Sequence, residues 1–158
     1  MAIRTQGSAL FLLDSYSTAI PAVLKLHCPT GITGLGGPAD QIDSTCLDDT
    51  DRSFLRGLGN PGAVNVPFNF DPVQFSHQIL FDLKEDGRNL QWAIGLSDGA
   101  DVPTVNSDGD NFEYPTTRTF AAFQGYVSDV NIDIATNEIV RGTLVVQRSG
   151  VVSWSWKA

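Results

Sequence analysis

Two long runs near the end of the chain alternate apolar and polar residues in the way that β-strands do. The first run covers Phe120–Ile134, the second covers Glu138–Gln147 after a short turn, and a third, Val151–Trp156, closes the chain. A period of two places neighbouring residues on opposite faces of a strand. In the first run the apolar positions are Val130, Ile132 and Ile134, and the polar ones are Asp129, Asn131 and Asp133. The pattern predicts a hairpin with an acidic face and no catalytic group.

Shorter runs of the same kind predict strands in the first two thirds of the chain. Ala9–Leu13 and Ala22–His27 predict two short strands. Ala63–Phe70 alternates cleanly, and Pro67 within it places this strand at a sheet edge, because proline has no N–H to donate. Leu90–Leu96 also alternates, which predicts a strand buried on one face.

One helix is predicted between residues 71 and 87. Asp71 can cap its start, Pro72 suits the first turn, and Gly87 can end it. Phe81 lies off the apolar face of this helix, so it either packs at the rim or contacts another subunit. The apolar face itself predicts packing on a sheet and consists of Phe75, Ile79, Leu80 and Leu83.

A helix set among many strands predicts an α+β chain that is mainly β. The architecture we expect is a β-sandwich or open barrel with one packed helix. At 158 residues the chain fits one domain with a single sizeable core.

The segment Pro29–Pro61 is a long connection rich in glycine and aspartate. Connections of this length are uncommon in a compact domain unless they are functional or disordered. Five large apolar residues lie in it, which a solvated loop does not need. We interpret the segment as an arm that docks either on a neighbouring subunit, which we favour, or on its own domain. The five residues are Ile42, Leu47, Phe54, Leu55 and Leu58.

Charge narrows the class of partner. Ten Lys and Arg against 18 Asp and Glu give a net charge of −8 at pH 7. Proteins that bind nucleic acid tightly use basic residues to neutralise phosphates, so the charge argues against a nucleic-acid-binding protein. Cys28 and Cys46 have neither the number nor the spacing of a disulfide framework or a zinc site, so we expect small hydrophobic residues in a reducing compartment. No targeting segment or apolar run of about 20 residues is visible, which predicts a soluble protein made in a cytoplasm, without membrane insertion.

Motifs for catalysis, cofactors or metals are weak. Residues 108–111 resemble part of a calcium loop but lack its bidentate glutamate, so a solvated turn is favoured. The glycines of residues 31–37 lack the Lys-Ser/Thr of a phosphate-binding loop. His27 and His77 have no matched nucleophile motif. We therefore predict no enzyme, no cofactor and no metal site.

Three tryptophans leave a second class of function open. Trp92, Trp154 and Trp156 suit a platform on which a sugar ring stacks, and a carbohydrate-binding β-sandwich module is thus an alternative. Large aromatic residues more often belong to a core or an interface.

The closing hairpin and the arm together resemble a known family. The hairpin carries Phe123-x-Gly125-x-Val127-Ser128, then Glu138-Ile139-Val140, Thr143–Val146 and Gly150. The arm carries Ile42–Asp49 ahead of Gly57-x-Gly59-Asn60-Pro61-Gly62. With the strand, helix and strand between them in the same order, residues 20–157 resemble the major tail tube proteins of long-tailed, non-contractile bacteriophages. Tube proteins of contractile tails and of secretion systems have a related fold and remain the first alternative.

The resemblance implies a structural protein of the virion tail, assembled in the host cytoplasm. It implies one tail-tube domain over residues 1–158, with the arm at residues 29–61 and no immunoglobulin-like domain after the hairpin. Six copies would form a ring, and stacked rings would form the tube that conducts DNA, with tape measure, tail terminator and tail-tip proteins as further partners. In that setting Asp129, Asp133 and Glu138 are expected to face the lumen, and the arm and Phe81 to contact other subunits.

Overall fold

The computed structural model describes residues 2–16 and 20–158, and that part of the chain forms ten strands and one helix. The strands are β1 (Ala9–Asp14), β2 (Ala22–Lys25), β3 (Ala39–Asp43), β4 (Phe54–Gly59), β5 (Ala63–Asn69), β6 (Leu90–Gly95), β7 (Thr104–Val105), β8 (Phe112–Glu113), β9 (Phe120–Asp133) and β10 (Arg141–Ser155). The helix, α1, spans Phe75–Asp86.

Six of these strands form one antiparallel sheet in the order β2-β1-β6-β9-β10-β5. The pairs β3-β4 and β7-β8 form two small sheets. Within the described residues no sheet closes on itself. The prediction of a mainly β chain with one packed helix is confirmed.

The closing hairpin is longer than the sequence pattern predicts. β9 and β10 pair from Phe120–Ser155 at one end to Asp133–Arg141 at the other. The runs predicted as separate second and third strands are one strand, because Gly150, with a φ of 85°, carries β10 through an irregularity without ending it. Glu138 lies before β10, in the connection of residues 134–140.

The edge position predicted from Pro67 is confirmed, because β5 is the last strand of the sheet. Where the proline lacks an N–H, its carbonyl still accepts from Thr30 N, at 2.8 Å. Thr33 and Asn65 then exchange backbone hydrogen bonds of 3.0 and 2.9 Å. The residues that lead into the arm are therefore laid along the outer side of β5.

The predicted end of the helix is confirmed and its predicted start is wrong. Gly87 adopts a left-handed conformation, with a φ of 71°, and its N–H donates to Leu83 O at 2.9 Å. α1 begins at Phe75 instead of directly after Asp71. The Asp71 carboxylate accepts from Val73 N at 3.1 Å, and this local turn uses the group that was expected to cap the helix.

The helix packs on one face of the sheet through Ile79, Leu80 and Leu83, which are all buried with Trp92 and Ile94. Phe75 was predicted to join them, but 51% of its surface is exposed. Residues 76, 80 and 83 form the central stripe of α1, so Phe75 lies to one side and Ser76 and His77 are buried in its place.

The other face of the sheet is covered only at one end. There β7, β8 and Tyr114 pack over Phe11, Ala93 and Phe120. β6, predicted to be buried on one face, is therefore buried on both. The buried Arg118 lies over the rings of Phe11 and Phe120 and donates to four backbone carbonyls, those of Gly7, Gly95, Leu96 and Asp101. Burial lowers the pKa of Arg118 and, at Tyr114, raises the pKa to about 12.

Candidate assembly surfaces

Towards the turn that joins β9 and β10, one face of the sheet is covered by no other strand or helix of the described residues. An extra residue in β9, Ser128, shifts the register there, so that Val127 lies opposite Val146 and Asp129 opposite Val145. The core side chains Val127, Val130 and Leu144 consequently remain on the helix side. We call the opposite side the bare face; its residues are Gln124, Tyr126, Asp129, Asn131 and Asp133 of β9, Arg141, Thr143, Val145 and Gln147 of β10, and Asn65, Pro67 and Asn69 of β5.

Amides and hydroxyls dominate the bare face, and each of its two carboxylates has a basic neighbour. Lys84 Nζ lies 3.1 Å from Asp129 Oδ1, with both side chains partly exposed. Arg141 stands opposite Asp133 in the register. Period-two alternation thus placed Asp129 and Asp133 together on one face as predicted, while Glu138 lies apart in the exposed connection before β10. The alternation gave no signal for Lys84, which reaches this site from the helix.

The arm is a hairpin in this structure. β3 and β4 pair with each other and with no other strand of the described chain. Thr45 Oγ1 accepts from Ser53 N at 2.9 Å, and Asp49 Oδ2 accepts from Cys46 N at 2.7 Å, so the loop at its tip is ordered by its own polar groups. The five predicted contact residues are exposed, with exposed fractions of 52% for Ile42, 106% for Leu47, 47% for Phe54, 60% for Leu55 and 84% for Leu58.

Phe81 lies at the rim of the helix, with 36% of its surface exposed. Its ring meets Phe70 edge-on, with the ring centroids 6.2 Å apart. The intramolecular contact covers part of the ring and leaves the rest accessible.

The two histidines, 50 positions apart in sequence, meet in the structure with ring centroids 5.7 Å apart. Asp71 N–H donates to His77 Nδ1 at 3.0 Å, which assigns the proton to Nε2, and Nε2 donates to the His27 carbonyl at 2.7 Å. Ser76 Oγ accepts from His27 N at 3.2 Å. Both ring nitrogens of His77 are thus used to fasten the helix to the strand end, which is a structural role.

Cys28 and Cys46 are both exposed free thiols, so the expectation that they pack as small hydrophobic residues is wrong. Cys28 occupies a tight turn with a φ of 50°, and Cys46 lies at the arm tip, so neither position is covered by core.

Trp92 is buried, as its strand pattern predicts, and its Nε1 donates to Gly125 O at 3.0 Å. Trp154 and Trp156 are partly exposed and stack on each other, with centroids 5.1 Å apart and planes 6° from parallel. The three tryptophans therefore do not form one platform.

Residues 106–111 form a turn in which Asn106 Oδ1 accepts from Asp110 N at 3.1 Å. Among the residues that the structure describes, no group of three or more histidine, cysteine or acidic side chains is arranged to hold a metal ion. In the same residues no helix is long and apolar enough to cross a membrane.

A family model described as phage tail tube, TTP, lambda-like, matches residues 1–158. The chain belongs to this family of tail tube proteins. This chain is 34% identical over 151 residues to Structural protein 3 of Pseudomonas phage PAJU2. The match covers 94% of this chain and 90% of the phage protein. The tail tube protein is therefore a structural component of the phage virion, as its resemblance implied.

Solved structures share the fold at low sequence identity. The tail of an empty GTA particle, refined with C6 symmetry, matches with a TM-score of 0.67 and 12% identity over 98% of this chain and 99% of that chain. The sheath–tube complex of an extracellular contractile injection system matches with a TM-score of 0.64 and 13% identity over 98% and 92% of the two chains. The fold alone does not separate tubes of contractile and non-contractile tails.

Proposed function

We propose that six copies of this tail tube protein form a ring and that stacked rings form the DNA-conducting tube of a non-contractile tail. The family supports the tube, and the six-fold tail of the GTA particle, which has the same fold, supports the ring number. In this role the chain works by assembly, without catalysis or a cofactor. Tape measure, terminator and tail-tip proteins are the other partners that such a tail requires, and assembly takes place in the host cytoplasm.

The observation that carries the proposal is the arm. It projects five large apolar side chains from a hairpin that makes no strand pairs with any other strand that the structure describes. Burial of one such side chain contributes on the order of 1.5–3 kcal/mol. A neighbouring copy that covers the arm therefore gains stability that the single chain lacks, and this gain favours assembly.

The bare face supports the second part of the proposal, that it lines the lumen. A strongly basic surface would bind the phosphates of passing DNA and slow it. Here Asp129 is paired with Lys84, Asp133 faces Arg141, and amides and hydroxyls occupy most of the remaining positions. Such a lining offers phosphates little net attraction.

Electron microscopy combined with hydrogen exchange tests the proposal. Purified protein at rising concentration should form rings or tubes with six-fold symmetry. Amides of residues 42–58 should exchange quickly in the free chain and become protected in the tubes, because the arm is then covered. The amides of β9 should be protected in both states and serve as the internal control. Absence of rings and tubes would contradict the assembly, and equally strong protection of the arm in both states would contradict its role as a contact.

A further inference from the structure

The arm joins the sheet at a narrow base where Arg148 of β10 bonds to both legs, while its neighbour Gln147 donates through Nε2 to Pro61 O and Gly62 O at 3.5 Å, on one leg only. Arg148 N donates to Gly62 O at 3.2 Å, on the leg that follows β4, and its guanidinium Nη2 donates to Gly36 O, on the leg that precedes β3. Asn60 N donates to Pro38 O at 2.9 Å and ties the two legs to each other. Arg148 therefore bonds both legs of the arm at once.

The two legs approach too closely for side chains at the base. A Cβ on Gly37 would lie 2.9 Å from Asn60 O and 3.1 Å from the Arg148 guanidinium. At Gly34 the φ is 95° and a Cβ would lie 2.1 Å from Ala63 O, so only glycine fits. The glycine-rich segment that resembled a phosphate cradle in sequence is thus the joint of the arm.

Burying a charged side chain at this position costs free energy of desolvation. Only 4% of its surface is exposed, and its Nε has no hydrogen-bond partner. In the described part of the chain the ion pairs are Lys84–Asp129 and Arg88–Asp86, so no carboxylate neutralises the guanidinium. An apolar side chain of similar size would serve a core at least as well as a buried cation of this kind.

Arg118 provides the contrast. It is also buried, at 3% exposed, but it donates to four carbonyls, two of which belong to the end of the buried strand β6 and the residue after it. If Arg118 were lost, those carbonyls would lose a charged donor. The carbonyl that Arg148 binds belongs to the exposed Gly36, which water can reach.

We propose that Arg148 is a positioning residue that sets the direction of the arm relative to the sheet before the arm meets a neighbouring copy. Since β3 and β4 pair only with each other among the described strands, the direction of the arm depends on the bonds at its base. The consequence for assembly rests on the proposed function; the effect on the arm of a single chain does not.

The two native thiols allow a direct measurement. Cys46 lies at the arm tip and Cys28 on the body, and both are exposed. Spin labels on these two cysteines of the full chain report the distribution of distances between arm and body by pulsed electron paramagnetic resonance. We expect a narrow distribution in the wild type and a broad one in Arg148→Met. In Arg148→Lys, whose ammonium can still donate to Gly36 O, the distribution should narrow again.

Melting and assembly separate positioning from a general loss of structure. Arg148→Met should shift Tm by no more than about 4 °C, yet raise the protein concentration needed for tubes by about ten-fold, the expected loss of one hydrogen bond from a charged donor. The control Arg118→Met should lower Tm by about 5 °C or more, because it removes four hydrogen bonds from a charged donor, and its distance distribution should stay narrow.

The outcomes distinguish the inference from the proposed function. A distribution in Arg148→Met as narrow as in the wild type overturns the inference, and so does a Tm loss as large as that of Arg118→Met. Unchanged tube formation by Arg148→Met, with a broadened distribution, overturns the link from arm direction to assembly. A wild type that forms no rings or tubes contradicts the proposed function alone, because the distances in the single chain still test Arg148.

Discussion

One residue, Asp98, joins three parts of the chain where it enters β9, through its carboxylate and its backbone carbonyl. Asp98 accepts from Thr119 Oγ1 at 2.6 Å and from Thr119 N at 3.0 Å, and Lys157 Nζ donates to the Asp98 carbonyl at 2.7 Å. The hydrogen bonds from Thr119 lower the pKa of Asp98 below its ordinary value of 3.8. The ionised form of Asp98 is therefore favoured by the fold.

This predicts how acid acts on the Asp98 contact. A pKa that is lower in the folded than in the unfolded chain adds stability above about pH 3.8, and this stability is lost as the pH falls through the folded pKa. Asp98→Asn should lower Tm at pH 7, and the gap to the wild type should narrow as the pH falls below about 3.8. Calorimetry across this range measures it, with Asp82→Asn on the exposed side of the helix as control. A gap that is equally wide at both ends of the range would contradict the assignment.

The helix combines one face made for the core with one residue at its rim. Leu83 is 1% exposed, while Phe81 is 36% exposed and touches Phe70. Leu83→Ala should cost about 2–5 kcal/mol of unfolding free energy through lost burial and a cavity. Phe81→Ala should cost less than Leu83→Ala, because the ring is already partly exposed and loses less burial, and it should weaken tube formation.

Thermal melts of the single chains beside an assembly assay measure both effects. Phe75→Ala, which removes an exposed aromatic ring elsewhere on the same helix, is the matched control. If Phe81→Ala destabilised the chain as much as Leu83→Ala, or assembled as readily as Phe75→Ala, Phe81 would have no subunit contact.

How much of each element the sequence predicts depends on how local its cause is. The end of α1 was predictable, because the conformation of Gly87 is a property of a few neighbouring residues. The start was not, because Asp71 serves a local turn and His77 binds a carbonyl 50 positions away. The burial of β6 on both faces could not be predicted for a similar reason. The elements that cover its second face, β7 and β8, lie in a distant segment of largely polar composition.

In the whole molecule, charge is distributed differently from what the chain's net value of −8 indicates. Alternation correctly placed Asp129 and Asp133 on one face, but the ion pair with Lys84 is formed between a strand and a helix and leaves no pattern in either segment. The bare face is consequently more nearly neutral than an acidic strand pattern predicts. Replacing its carboxylates by lysine should therefore make the bare face clearly basic.

Replacing Asp129 and Asp133 by Lys changes the charge of the bare face by +4 per chain and puts a lysine beside Lys84. Tubes should still form, because exposed ion pairs contribute at most about 1 kcal/mol, but they should retain short duplex DNA, with an affinity that falls steeply as salt is raised. Filter binding at two salt concentrations measures this. The control, Asp82→Lys with Glu85→Lys on the exposed side of the helix, carries the same charge change. If both double variants retained DNA equally, the bare face would not line the lumen.

Two strands of the main sheet, β1 and β5, are covered to different depths, and this has a consequence for how the sequence can vary. All six residues of β1 are buried, whereas β5 alternates between buried and accessible positions. A substitution in β1 must preserve side-chain volume, because both faces of that strand are buried. At every second position of β5 the side chain is accessible, so packing within the chain does not restrict its volume. The sequences of relatives should therefore diverge quickly at the accessible positions of β5 and slowly throughout β1. Two strands of one sheet would then differ in their rate of substitution.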